Sequence, residues 1–144
     1  MMISTRGRYA LRILLDIAEH QNEGYVSLKE SAERQEISKK YLEQIVTVPD
    51  ISKMLDTSRG IHGGYRLAKK PSEFTVGEVL RAAEGSISPV SCIESDHISC
   101  ARSERCRVLP VWKGLDNVIN NYLDSITLQD ILDQNSEQMN DLHT

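Results

Sequence analysis

Cys92, Cys100 and Cys106 are the three thiols of this 144-residue chain, and their spacing is Cys-x7-Cys-x5-Cys. Zinc ribbons and ferredoxins use tighter Cys-x2-Cys pairs, so the pattern matches neither. An odd, clustered set is a poor disulfide framework. The residues alone leave three readings: a metal or cluster site, a thiol switch, or unligated loop cysteines. Arg102, Arg105 and Arg107 surround the thiols, and nearby cations favour thiolate, which serves metal binding and redox chemistry alike. Of the four histidines only His97 falls inside this stretch. With Glu94, Asp96 and Glu104 it is a candidate additional ligand, weighed against ordinary solvated loop residues.

A second group of residues lies in the N-terminal half, where charge is distributed differently. The formal net charge is -4, but residues 1–75 carry 12 Lys/Arg against 10 Asp/Glu, and residues 76–144 carry 5 against 11. Local positive charge, rather than the net value, decides whether a chain can hold nucleic acid. With one Phe, one Trp and five Tyr, an aromatic platform for single strands is excluded. The Gly-rich run Thr57–Leu67 lacks the Gly-Lys-Ser/Thr ending of a phosphate loop and does not lead directly into a helix. No Ser/His/Asp or paired-carboxylate arrangement stands out, so the chain is not read as an enzyme. No apolar run is long enough to span a membrane and no signal-peptide pattern opens the chain, which places it in the cytosol.

These residues need elements to hold them. Ala10, Ile13, Leu14, Ile17 and Ala18 form one apolar stripe, predicting a helix from Thr5 to His20 with Arg6, Arg8 and Arg12 off the stripe. Ser27-x-x-Glu30 is a capping box for a short helix through Gln35, and Ser38 caps a third from Lys39. Two short helices joined by a tight turn suggest a helix-turn-helix. The third turns Leu42, Ile45 and Val46 inward and leaves Lys39, Lys40, Tyr41, Glu43 and Gln44 outward. Pro49 ends it, and a short helical turn is expected at Ile51–Leu55. The flanks of the Gly-rich run then read as a small hairpin, with Gly60, Gly63 and Gly64 available for positive φ. A basic hairpin after a helix-turn-helix is a wing.

Thr75-x-x-Glu78 caps another helix, which ends at Gly85. A long helix from Val108 carries Val111, Trp112, Leu115, Val118, Ile119, Tyr122 and Leu123 at helical spacing. One small core offers little for so wide a stripe to cover, so a partner subunit's equivalent helix is the natural cover and a homodimer is expected. Within that stripe Trp112 reads as a core or interface anchor, not a ligand-stacking residue. Thr127 caps a last helix, and a polar tail follows Gln134. The fold class is mainly α with a small β-hairpin wing. Residues 1–85 form a winged helix-turn-helix domain, 86–107 a cysteine-bearing sensor loop, and 108–144 a dimerisation helix with a C-terminal helix and tail.

The runs Ile3-Ser-Thr-Arg-Gly-Arg-Tyr-Ala10, Ile37-Ser-Lys-Lys-Tyr-Leu-Glu-Gln-Ile45, Ser58-Arg-Gly-Ile-His-Gly-Gly-Tyr-Arg-Leu67 and Ser88-Pro-Val-Ser-Cys92 resemble the IscR/NsrR/RirA/CymR group of bacterial winged-helix regulators, the Rrf-two family. The resemblance covers residues 2 to about 132. It implies a dimeric transcription factor on double-stranded DNA, acting as a repressor, with an iron–sulfur cluster, 2Fe-2S or 4Fe-4S, on Cys92, Cys100 and Cys106. It implies base reading by Glu43 and Gln44, with Ser38, Lys39, Lys40 and Tyr41 at the major groove. Arg6, Lys39 and Lys40 would hold phosphates, and Arg59 with Gly60, Gly63 and Gly64 would probe the minor groove. The CymR type implies an alternative: a cluster-free regulator of cysteine metabolism that acts through a partner enzyme.

The chain departs from the group at named positions. Pro49, Asp50, Lys53 and Met54 replace the usual approach to the wing. Leu109 and Arg8 stand where relatives place a fourth cluster ligand, His or Asp. The loop between the first two thiols is two residues longer than is usual in IscR. His97 is therefore the local candidate for the missing ligand.

Overall fold

A computed structural model of the chain describes residues 3–93 and 104–134. Helix α1, Thr5–His20, buries Ala10, Ile13, Leu14, Ile17 and Ala18, the stripe its periodicity predicts. Its first turn lacks a cap from its own Ser4. Glu84 supplies one from a distant helix: its Oε1 accepts from Ser4 N at 3.1 Å, Ser4 Oγ at 2.5 Å and Gly7 N at 3.0 Å. A carboxylate at this end also complements the helix dipole.

Helix α2, Leu28–Gln35, is capped by Ser27 Oγ, which accepts from Glu30 N. Helix α3, Lys39–Val46, is capped in the same way by Ser38. Between them Glu36 adopts φ 55, and Ile37 is buried with its N–H donating to Ala32 O at 3.1 Å. A left-handed residue and an apolar plug fix the turn of the helix-turn-helix.

Helix α4 runs Pro49–Ser52, not Ile51–Leu55 as expected. Proline ends α3 but also starts α4, because its fixed φ suits the first helical position, where no N–H is needed. The wing pairs β1, Leu55–Ser58, with β2, Gly64–Leu67, antiparallel from Leu55↔Leu67 to Ser58↔Gly64. Leu55 and Leu67 are both buried, which carries the first strand two residues further back than the Gly-rich tip suggests. Strand β2 is tied to the body along its length. Val26 and Tyr65 exchange backbone hydrogen bonds, Leu67 N donates to Gln21 Oε1 at 2.8 Å, and the Arg66 guanidinium lies 4.9 Å from the Tyr25 ring centroid.

Helix α5, Val76–Glu84, is capped by Thr75 and closed by Gly85 at φ 82. Helix α6, Leu109–Asp124, leads to α7 at 128–134, where Thr127 Oγ1 accepts from Asp130 N at 3.0 Å. The last segment folds back. Leu128 enters the main core fully buried, and its N–H donates to Phe74 O. A second cluster of Val76, Leu80 and Ile87 receives Ile119, Leu123, Ile126 and Ile131. Gly77 makes that approach close: a Cβ there would stand 2.1 Å from Asp124 Oδ1. Among the described residues no helix is long and apolar enough to cross a membrane.

Candidate functional site

The outward face of α3 is as the periodicity predicts: Leu42, Ile45 and Val46 are buried, while Lys39, Lys40, Glu43 and Gln44 are exposed. Lys39 Nζ lies 3.8 Å from Glu43 Oε1 across one turn. Both are more than half exposed, so the pair is weak and each side chain is free to exchange partners. Ser38 is exposed and its oxygen is engaged as the α3 cap.

Tyr41 differs from its expected place on the open face. It is half-buried against the main core, and its ring meets Tyr9 edge-on at 5.6 Å and 87°. The Arg12 guanidinium lies 5.2 Å from the Tyr9 centroid and donates to both the carbonyl and the side chain of Gln35. An edge-to-face aromatic pair stabilises by its own quadrupole geometry. Tyr41 thus helps to orient α3 on α1 through Tyr9, a contact with no trace in the spacing of either helix.

Asp16 anchors a buried polar network that the sequence pattern does not reveal. It sits beside the apolar stripe of α1, 1% exposed. Arg34 grips it with Nε at 3.0 Å and Nη2 at 2.8 Å, Ser31 Oγ donates at 2.6 Å, and Gln35 Nε2 donates at 3.1 Å. Burial pushes the Asp16 carboxyl up, but the hydrogen bonds from Arg34, Ser31 and Gln35 outweigh it and hold the group below its ordinary value. Every donor comes from α2. The network therefore fixes α2 on α1, and with it the base from which α3 projects. A carboxylate beside an apolar stripe is the signal that the sequence offers.

In the wing, Arg59 and Gly60 are exposed, and Gly60 takes φ 107. Gly63 does not use positive φ as expected. Its need is spatial, since a Cβ there would stand 2.3 Å from Ser58 O. Gly64 opens β2. Arg6 is exposed in the first turn of α1. Arg6, α3 and Arg59 are carried on one frame, formed by α1, α2, α4 and the strands.

Cys92 and Cys106 are free thiols and half-buried. Cys92 lies in the short turn Ser91–Ile93, and Cys106 lies just ahead of α6, with its carbonyl accepting from Leu109 N. Cys100 and His97 lie outside the described residues, as do Glu94, Asp96 and Arg102. Among the described residues no three candidate ligands gather around one point. Glu104, Arg105 and Arg107 are exposed, whereas Leu109 is 7% exposed and packed inward.

The long apolar stripe on α6 divides. Ile119 and Leu123 pack on the second cluster, while Val108, Val111, Leu115, Val118 and Tyr122 are 41–64% exposed. Arg81 fastens the inner side to α5, donating from Nη1 to Asn120 Oδ1 at 2.9 Å and from Nη2 to Asp124 Oδ1.

A helix-turn-helix followed by a two-stranded hairpin makes this a winged-helix protein. The Rrf2 family model, described as an iron-dependent transcriptional regulator, matches residues 3–134, and the chain belongs to that family. Protein rrf2 of Nitratidesulfovibrio vulgaris is 39% identical over 132 residues, 92% of this chain and 87% of that protein. The transcriptional regulator IscR of Aliivibrio salmonicida is 36% identical, covering 96% and 81%. The solved structure of CymR, the global cysteine regulator of B. subtilis, has a TM-score of 0.72 at 34% identity, covering 91% and 95%. The chain is a transcriptional regulator of this family, whose named relatives are regulators rather than enzymes.

Proposed function

We propose that the chain is a dimeric, DNA-binding repressor whose operator affinity is set at Cys92, Cys100 and Cys106. The carrying observation is where the described thiols lie. Cys92 and Cys106 bracket the segment between α5, part of the winged-helix body, and α6, which bears the exposed apolar face. Three thiols, two of them free and half-buried, fit an iron–sulfur cluster of the 2Fe-2S or 4Fe-4S type. Such a cluster, when bound, supplies reversible redox and ligand-exchange chemistry. Leu109 offers no donor, so His97, Glu104 or an external ligand would complete the set.

The remaining work falls to side chains of the chain itself. Val111, Leu115, Val118 and Tyr122 meet the same face of a second copy in an isologous interface. Two copies of α3 then enter major grooves about 10 bp, or a multiple, apart. Arg6, Lys39 and Lys40 hold phosphates, Glu43 and Gln44 read bases, and Arg59 with the wing glycines enters the minor groove. Ser38 and Tyr41 act by positioning α3. The conformation of residues 86–107 sets how residues 108–144 meet the body formed by 1–85, and hence the spacing of the two reading heads. A regulator of this kind acts in the cytoplasm, on the chromosome.

The similarity to CymR, comparable with that to IscR, supports a second reading: a regulator without a cluster, using its thiols directly and acting through a partner enzyme. Protein purified without oxygen separates the two. Visible absorption with matching iron and sulfide, abolished by Cys92→Ala, Cys100→Ala or Cys106→Ala, supports the cluster. A colourless protein that takes up no iron and sulfide on anaerobic reconstitution, or that holds stoichiometric zinc, rejects it.

A further inference from the structure

Ile61 stands at the tip of the wing, 98% exposed. The hairpin holds it there. Gly63 N donates to Gly60 O at 3.1 Å, closing a turn whose two central residues are Ile61 and His62. The strands are in register down to Leu55↔Leu67, and the Val26–Tyr65 pair ties β2 to the body close to the tip. A lone apolar residue on a protein surface is ordinary. This one caps a braced projection, beside Arg59 and His62, and its β-branched side chain has little rotamer freedom to lose on insertion.

Duplex DNA is the partner that suits such a tip. A minor groove about 6 Å wide admits a narrow hairpin, its negative potential draws Arg59, and isoleucine is among the side chains that can part stacked bases. We propose that Ile61 is an apolar wedge that enters the minor groove and partly unstacks one base step in each half-site. A flexible pyrimidine–purine step is then selected at that position through its ease of deformation, without a hydrogen bond to the bases. This rests on the DNA-binding reading above and adds to it a sequence preference carried by the wing.

The test uses full-length protein prepared without oxygen. Wild type first selects duplexes from a randomised library, and 2-aminopurine then replaces adenine, one position at a time, along a selected duplex. Emission should rise at one step per half-site when wild type binds. Ile61→Ala should remove that rise, relax the preference at that step and weaken binding by about tenfold through loss of apolar contact. Its salt dependence should stay unchanged because no charge is removed. Ile61→Leu should retain the rise. Emission unaltered by wild type, or a rise that persists in Ile61→Ala, overturns the wedge and leaves DNA binding intact. A wild type that enriches no sequence overturns the DNA-binding reading and the wedge together.

Discussion

Helices α1 and α6 are both 16 residues long and both carry an apolar stripe, yet Ile13 and Ile17 on α1 are fully buried while Val118 and Tyr122 on α6 each leave 64% of their surface open. The difference lies in stripe width. On α1 the apolar residues span one face, and α5, α2 and α3 cover it. On α6 the stripe has two flanks: Ile119 and Leu123 against the chain's own second cluster, and Val111, Leu115, Val118 and Tyr122 beside them, facing away. A stripe wider than one neighbour can cover is suited to two neighbours. The main core is closed within the chain, with Leu128 from α7 sealing it, whereas the outer flank of α6 is left open.

The largest effect should come from placing a charge on the outer flank. Leu115→Glu should convert the proposed dimer to monomer, since an unpaired carboxylate buried at the interface costs roughly 3–5 kcal/mol. The body should remain folded, with its helical circular dichroism unchanged. Sedimentation velocity at micromolar concentration reads the assembly. A wild type that sediments as a monomer removes the second neighbour from the comparison.

The converse change strikes the body and spares the outer flank. Asp16→Ala removes the acceptor of Arg34, Ser31 and Gln35, and should cost about 3 kcal/mol of unfolding free energy. Linkage gives it a pH signature. The folded-state carboxyl titrates below its ordinary value, so its contribution is fully present above the ordinary carboxylate range and is lost as pH falls through the lower folded value. Urea melts across pH ~3 to ~7 should show a falling acid limb for wild type and a flatter one for Asp16→Asn. Equal acid limbs would show that the network does not set this dependence.

The contrast between these regions also marks what could be read from the sequence. Local signals were legible: Ser27, Ser38, Thr75 and Thr127 cap the helices that their spacing announces, because a cap and its N–H lie within three residues. Pro49 was legible as a stop for α3 but not as the start of α4, since both follow from the same fixed φ. The Asp16 network and the Tyr9–Tyr41 pair are not legible in the sequence because each joins residues from different helices. Periodicity gave the width of the α6 stripe, but not which flank its own body covers. At the thiols, spacing named the residues, while Cys100 and His97 lie outside the described structure.

A smaller effect sharpens the contrast on the DNA side. Gln44 is exposed on α3, and Gln44→Ala should cost about 1–3 kcal/mol on selected duplexes, with relaxed choice at one base. Lys39→Ala should weaken every duplex alike and flatten the salt dependence by about one phosphate contact. Neither should alter sedimentation. Titrations at several salt concentrations on selected and scrambled duplexes distinguish them. If both variants lose only binding common to all sequences, α3 does not read bases.

The smallest expected change improves the body. Glu36 occupies φ 55, ψ 43 at the C-terminal end of α2, where a Cβ crowds the following carbonyl and costs roughly 1–2 kcal/mol. Its charge also sits at the negative end of the α2 dipole, although the same carboxylate precedes the positive start of α3, so these two contributions oppose one another. Glycine removes the crowding but gains freedom in the unfolded chain, which returns part of the benefit. Glu36→Gly should therefore stabilise the chain by about 0.5–1 kcal/mol, read as a shift in the urea midpoint with the slope unchanged. Sedimentation should stay as in wild type, because the exposed flank of α6 is unaltered. Glu36→Asn tests the cause, since asparagine tolerates the left-handed region and carries no charge. A Gly variant less stable than wild type would mean that the glutamate side chain contributes more to the turn than its backbone conformation costs.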